Sequence, residues 1–317
     1  MYDKNNTIKQ ISNLYRKILL REPDQEGLTY FLNKNINENF SMEELRNHLL
    51  SSFEYKEIQR KREEFDIKKI ERKIFSQGGE DGIIEFIFSV IKNTNKFSVE
   101  IGCDDGKQCN TRFLLENGWD GILIDNFSYQ KNFQWIDSLS KPKKQLCIKE
   151  KFGIIKTLSH FFKKEFVTME NVNSILKKYN VPEQIDLLSI DIDYNTFWIW
   201  KAIEFIKPRV VIVEYNSQIS HLESKVVRYE PEYEYDWTNY YGASLLAFVK
   251  LAKEKGYSLV GCDSGGINAF FILNEEIQKN QIKTKSIEEN YQPPQFGDVW
   301  DSIPKGWPIS NKNMIDY

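Results

Sequence analysis

The stretch SIDIDYN (189–195) sets Asp191 and Asp193 two places apart where an apolar run ends, and VVIVEYN (210–216) repeats the arrangement with Glu214 and Asn216. In a strand, residues two apart share a face. Adjacent strands ending together would therefore gather these four oxygen-bearing groups in a small space. Carboxylates so close cannot all stay ionised without a compensating charge. A hard divalent ion, Mg2+ or Mn2+, meets that need with oxygen ligands. Asp193, Glu214 and Asn216 are the expected ligands, with Asp191 orienting a substrate hydroxyl or contacting a cofactor. The plainer alternative has one acid on a cofactor amine and Asp193 capping the next helix; the sequence leaves both open. His221, just beyond the second stretch, is either the proton acceptor of the reaction or an exposed loop histidine.

A second constellation lies upstream. VEIGCDDG (99–106) has the look of a ligand-binding turn after a first strand, but its glycines, Gly102 and Gly106, are not spaced for a dinucleotide. Glu100, Asp104 and Asp105 crowd the turn with negative charge, which repels a pyrophosphate at short range. A ligand with an ammonium and a sulfonium would be attracted, and S-adenosylmethionine is such a ligand. Glu100, Gly102, Asp104 and Gly106 are the expected contacts, joined by Asp191. Asp125, about 20 residues past the turn, is placed either for ribose hydroxyls or as a loop cap. The segment RYEPEYEYDWTNYYG (228–242) mixes aromatic rings with hydrogen-bonding groups, a combination that suits a carbohydrate. Asp236, Trp237, Tyr240 and Tyr241 are its candidate contacts, against the alternative of a loop that merely packs on the domain.

Such residues need a scaffold that brings strand ends together. From Ile74 onward apolar strands alternate with helical patterns: 96–102, 121–125, 144–148, 185–193 and 209–216 read as strands, with helices between them. YSLVGC and NAFFIL, split by DSGG, read as a closing hairpin. The expectation is an α/β Rossmann-like doubly wound sheet with one antiparallel edge strand, formed by the last strand of the hairpin. Residues 1–65 read instead as a small all-helical bundle. Ile8, Ile11, Leu14, Tyr15, Ile18 and Leu19 share one helical face, Asp24 opens a second helix, and Ser41 with Glu44 forms a capping box for a third. The mixed-sign run 56–73 reads as a connector helix. The domain division is 1–65 helical bundle, 66–290 Rossmann-like domain and 291–317 C-terminal tail.

The 317-residue chain carries a formal net charge of −3, which offers no footprint for nucleic-acid backbones. No apolar run reaches the roughly 20 residues of a membrane span. The polar start MYDKNNTIKQ lacks a secretory pattern, and the four cysteines form no C-x-x-C pair. A cytoplasmic protein with reduced thiols is expected.

The ordered blocks FSQGGEDGIIEFIF, VEIGCDDGKQCNTRFLLENGWDGILID, FVTMENVN, IDLLSIDIDYNTFWIWKAI, RVVIVEYN and YGASLLAFVKLAKEKGYSLVGCDSGGINAFFI, over roughly 74–274, resemble bacterial FkbM-like class I methyltransferases. Where those relatives carry an acidic-Gly pair after the fourth strand, this chain has Asp193-Tyr194-Asn195. The resemblance implies S-adenosylmethionine as methyl donor and a sugar hydroxyl of a bacterial glycan or nucleotide-sugar as acceptor. It also implies that Ser76, Gln77 and Glu80 reach over the cofactor, where the residues alone allow a simple glycine-rich bend. Metal-dependent class I O-methyltransferases are similar in carrying acidic and amide ligands after the fourth and fifth strands. With the pattern L-Y-R-x-x-L-x-R-x-P-D-x-x-G-L-x-Y from Leu14-Tyr15-Arg16 through Tyr30, residues 10–57 resemble a small helical domain that accompanies bacterial surface and carbohydrate-related proteins. It suggests self-association or docking of glycan-assembly enzymes. Two competing functions stand beside the methyltransferase: a non-catalytic module that binds S-adenosylmethionine or sugar, and an oxidoreductase, which the acidic turn opposes.

Overall fold

A computed structural model of the chain describes residues 4–19, 21–63, 65–104, 106, 108–126, 147–149, 155–157, 161–233, 235–297 and 305–317. It divides into two compact units, Met1–Phe65 and Asp66–Tyr317.

The first unit holds helices α1 (Lys4–Ile18), α2 (Gln25–Glu38), α3 (Met42–Ser51) and α4 (Phe53–Glu63). Its start signals are those of the sequence. Asp24 accepts from the Gly27 amide, and Ser41 and Glu44 form a reciprocal capping box. Ile11, Tyr15, Ile18 and Leu19 of the α1 face bury against Phe31, Leu32, Leu45 and Leu49. The apolar stripe thus supplies the core that helices this short need in order to persist. The run 56–73 is not one connector helix. It leaves helix after Glu63, and Ile67–Ile70 form a 3-10 turn of the second unit. The reason is burial: Ile67 is a core residue, lying where a Cβ on Gly261 would stand 2.3 Å from its side chain.

The second unit continues with α5 (Glu80–Ile91), β1 (Phe97–Ile101), α6 (Arg112–Glu116), β2 (Asp120–Asp125), β3 (Cys147–Lys149), β4 (Ile155–Thr157), β5 (Phe162–Lys164), α7 (Val172–Lys178), β6 (Gln184–Ile190), α8 (Thr196–Ala202) and β7 (Lys207–Glu214). Then follow β8 (Lys225–Val226), α9 (Leu245–Lys255), β9 (Tyr257–Cys262), β10 (Asn268–Leu273), α10 (Asn274–Asn280), α11 (Ile287–Asn290) and β11 (Ile315–Asp316). Seven strands make one sheet in the order β5-β2-β1-β6-β7-β10-β9, parallel except for β10. This is a Rossmann-like doubly wound sheet with an antiparallel last strand. Both faces are covered, as near-continuous apolar strands require: Leu188, Ile190, Val211 and Val213 bury with Phe197, Trp200 and Phe248, while Leu187, Val210, Ile212 and Phe270 are equally buried.

Three further details differ from the sequence reading. Of the strand expected at 144–148, residues 144–146 lie outside the described residues, and the remainder does not join the sheet. Cys147–Lys149 pairs with Ile155–Thr157 in a separate ribbon, and the place beside β2 goes to Phe162–Lys164. Phe161 and Phe162 explain the choice, because they bury with Leu123 and Leu115. The antiparallel strand is also not at the edge: β10 inserts between β7 and β9. Ala269, Phe270, Phe271 and Ile272 are wholly buried there, which suits an internal position. Residues 291–317, set apart in the sequence as a tail, belong to the second unit, where Ile315–Asp316 pairs with Lys225–Val226.

Among the described residues no helix is long and apolar enough to cross a membrane. Cys103, Cys109 and Cys262 are buried free thiols.

Candidate active site

The chain passes from β1 to β2 on one side and returns to β6 on the other side of β1. Ligands bind at such a switch point, outside the carboxyl ends of the strands. A cavity of about 790 Å³ lies there, lined by the ends of β1, β2 and β6 and by the residues that follow them. That volume lies within the usual range for small-molecule sites, about 300–1,000 Å³.

The turn after β1 is held from three directions. Gly102, at φ 82°, donates to Ile124 O at 2.9 Å. The Cys103 and Asp104 amides donate to Asp125 Oδ2 at 2.9 and 2.8 Å. The Glu100 carboxylate accepts from the amides of Asn110 and Thr111 at 2.8 and 2.9 Å. Burial pushes Glu100 up to about 7 against the pull of those hydrogen bonds. Glu100 is thus a brace inside the loop and does not line the cavity, whereas Gly102, Asp104 and Asp125 do. Gly106 is buried at φ 71°, its carbonyl accepting from Arg112 Nη1 at 3.2 Å, and it too stands off the wall. Asp105 lies outside the described residues.

The segment 75–82 divides the same way. Gln77 lines the cavity. Ser76 is buried and exchanges hydrogen bonds with Asp81. Glu80 is buried, accepting from the Gly78 amide at 2.7 Å and from Asn268 Nδ2 at 2.9 Å.

Beyond β6 and β7 the carboxylates do meet. Ile190 pairs with Val213, so Asp191 and Glu214 are the next residues in register on adjacent strands. Asp191, Asp193 and Glu214 each bring a carboxylate oxygen within 4.8 Å of the others. Oxygens around an octahedral ion at about 2.1 Å stand about 3–4 Å apart, so this trio suits a hard cation. Glu214 Oε2 is buried and finds no hydrogen-bond donor among the described residues. Burial, then the charge of Asp193, pushes Asp191 up to about 7. Burial and the charges of Asp191 and Asp193 push Glu214 well up, making it the readily protonated member of the pair.

Asn216, expected as a ligand, does not join them. Its Nδ2 donates to the carbonyls of Asn239 and Tyr241 at 2.8 and 3.0 Å, and its Oδ1 accepts from the Gln218 amide at 3.1 Å. The strand ends at Glu214, so the two-residue alternation no longer places Asn216. Asp193 reaches the trio through a left-handed backbone at φ 56°, not through strand alternation. It does not cap α8, whose N-cap position is Asn195. His221 packs its ring on Tyr291 at 5.1 Å and is not on the cavity wall.

In the 228–242 loop, Trp237 lines the cavity, 67 % exposed as a residue and with its backbone left-handed at φ 58°. A bulky residue in that conformation is uncommon, and such strain collects at ligand clamps. Asp236 is turned to structure: it accepts from Tyr233 Oη, Thr238 Oγ1 and Lys312 Nζ at 2.6, 2.6 and 2.9 Å. Burial opposes its charge, yet the bonds from Thr238, Tyr233 and Lys312 prevail and hold its carboxyl well below the usual range. Tyr240 and Tyr241 are buried behind the wall.

The sequence reading passed over other wall residues, Gln108, Asn126, Glu165, Phe166, Val167, Asn195 and Pro231, and the wall also holds Tyr233 of its aromatic segment. Glu165–Val167 follow β5, the strand that was misplaced, so no signal pointed to them. Tyr235, within the aromatic loop, has a buried hydroxyl without a partner among the described residues, and burial and the charge of Glu214 raise its pKa.

No family model and no curated protein matches the sequence. Among solved structures, the chain is similar to the magnesium protoporphyrin IX methyltransferase of Synechocystis PCC 6803 with bound SAH. The identity is 10 %, over 77 % of this chain and 99 % of that one, at a TM-score of 0.37. It is also similar to an S-adenosylmethionine-dependent methyltransferase of Clostridium acetobutylicum ATCC 824, at 13 % identity over 69 % and 97 % of the two chains, with a TM-score of 0.32.

Proposed function

We propose that the chain is an S-adenosylmethionine-dependent O-methyltransferase acting on a sugar hydroxyl of a bacterial glycan or nucleotide-sugar. The observation that carries this reading is the cavity at the switch point, lined by Asp104, Asp125, Glu165, Asp191 and Asp193. Carboxylates at short range favour a ligand with ammonium and sulfonium groups over a dinucleotide pyrophosphate. Gly102, Asp104, Asp125 and Gln77 would hold the donor, which supplies the methyl group as the acceptor oxygen displaces S-adenosylhomocysteine.

The chain's own task is chiefly alignment of the acceptor oxygen with the methyl carbon and sulfur. Trp237 offers a ring face for the C–H side of a sugar. Asp191, Asp193 and Glu214 would hold a divalent cation, which lowers the pKa of a bound hydroxyl. Asp191, pushed up to about 7 and on the cavity wall, is placed to take the proton that the hydroxyl loses.

Calorimetry tests the reading. S-adenosylmethionine and S-adenosylhomocysteine should bind, and NAD should not; NAD binding without either would sink it. If chelated protein turns over at the full rate, the cation has no part in the reaction.

A further inference from the structure

Asn195 occupies the N-cap position of α8 yet makes no capping bond. Its Nδ2 donates instead to Glu230 O at 2.8 Å. A carbonyl oxygen only accepts, so the amide nitrogen must be the atom facing Glu230, and this fixes Oδ1 on the other side. Oδ1 is buried and finds no donor among the described residues. The residue is 7 % exposed and lines the cavity. Through Glu230 it is tied to the loop whose Pro231, Tyr233 and Trp237 also line it.

A favoured capping residue that leaves its helix uncapped, with an orphaned buried acceptor, breaks two local rules at once. Sequences tolerate such conflicts where function uses the group.

Resting on the methyltransferase reading, we propose that Asn195 is a specificity-determining acceptor contact. Its Oδ1, closed to solvent in the free chain, takes a hydrogen bond from a second hydroxyl of a neutral polyol, beside the hydroxyl that is methylated, once the loop joined to it through Glu230 yields to the ligand. Sites built to bond a substrate hydroxyl reject the analogue lacking it, because the buried partner is then unpaired. The acceptor is therefore a saccharide ring with a free hydroxyl near the methylated one.

The test uses the full chain loaded with S-adenosylhomocysteine and a panel of methyl glycosides of glucose, galactose, mannose and rhamnose with their monodeoxy analogues. Binding is read by calorimetry and saturation-transfer NMR. At least one glycoside should bind, and removal of one of its hydroxyls should weaken wild type tenfold or more. Asn195→Leu should discriminate less than threefold, while S-adenosylhomocysteine binds it as tightly as wild type. Asn195→Ala carries the same expectation if the leucine variant does not fold. Equal discrimination by wild type and variants overturns the assignment, as does binding of no glycoside at all. Failure of S-adenosylhomocysteine to bind overturns the methyltransferase reading instead. The glycosides are then measured on the free protein, where the same comparison decides the role of Asn195.

Discussion

The α-carbon of Gly102 faces the main-chain oxygen of Asp191 so closely that a Cβ on it would stand 1.6 Å from that oxygen. The Asp191 amide in turn donates to Ile101 O at 2.8 Å, and the Gly102 amide to Ile124 O at 2.9 Å. The exit of β1 is thus clasped by both neighbouring strands. That clasp brings the carboxylates of β6 to the turn after β1.

Replacing Gly102 by alanine should break the clasp. A left-handed backbone with a Cβ costs about 1–2 kcal/mol, and the contact with Asp191 O adds displacement of a central strand end. We expect Gly102→Ala to lose about 2–4 kcal/mol of stability, read by urea unfolding. Binding of S-adenosylhomocysteine should weaken at least tenfold. Wild-type affinity in a folded variant would show that the turn does not touch the ligand.

Asp125 gives a graded test of the same turn. One of its oxygens accepts both the Cys103 and Asp104 amides, and bonds to a charged acceptor contribute about 1.5–3 kcal/mol each. Asp125→Ala should weaken S-adenosylhomocysteine by tenfold or more, since 1.4 kcal/mol corresponds to one decade. Asp125→Asn keeps an accepting oxygen and should fall between. Calorimetry that ranks the asparagine variant below alanine would contradict this arrangement.

The acid trio should trade stability for ion binding. Glu214→Gln removes one of three crowded carboxyls and relieves like-charge and burial costs. The metal-free variant should be more stable than wild type near pH 8, by about 1 kcal/mol. Its affinity for Mn2+, followed by paramagnetic resonance, should fall at least tenfold. Unchanged Mn2+ binding would remove Glu214 from the ligand set.

Strand and helix periodicity carried most of the fold, because buried parallel strands read as apolar runs, while Phe197 and Trp200, and likewise Leu245, Phe248 and Leu251, recur at helical spacing. It failed beside β2, where KQLCI matches a strand in isolation; the sheet takes Phe162–Lys164, with Phe161 and Phe162 buried among Leu115 and Leu123. The site was legible where register alone decides it, as for Asp191 beside Glu214. It was not legible where side chains find partners distant in sequence. Glu100, Glu80, Asn216 and Asp236 have suitable chemistry, yet Thr111, Asn268, Tyr241 and Lys312 claim their polar atoms. Asn195 went unnoticed for the converse reason, since only the bond to Glu230 O reveals that its oxygen is left over.

Stability should fall as pH rises from about 4 to about 7. Burial, then the charge of Glu80, pushes the Asp263 carboxyl up to about 7, against about 3.9 in the unfolded chain. Between those values the folded state binds more protons than the unfolded one, so raising the pH favours unfolding. The contribution is fully present below about 4 and lost as the pH passes about 7. Glu100 and Asp191, also near 7, act in the same direction. Asp263→Asn should flatten the decline of Tm over this range, and an unchanged slope would show that Asp263 is ionised throughout.

The amino end of the sheet offers the control that separates stability from function. Asp186 is fully buried there and accepts from Thr94 N, Asn95 N and Lys96 N, at 2.8, 3.1 and 2.8 Å, and from Arg209 Nη1 at 2.8 Å. Arg209 also pairs with Glu276 at 2.9 Å and donates to Ile91 O at 2.9 Å. Removing one partner of a buried ion pair leaves the other charge uncompensated, which costs about 3–5 kcal/mol. Arg209→Met should lose stability of that size, more than Asp186→Asn, which keeps an accepting oxygen for the three amides. Asp186 lies at the start of β6, while the cavity opens past its end at Asp191. Both variants, where folded, should therefore bind S-adenosylhomocysteine within twofold of wild type. A large loss of affinity without loss of stability would mean that this network shapes the site and does not merely hold the sheet.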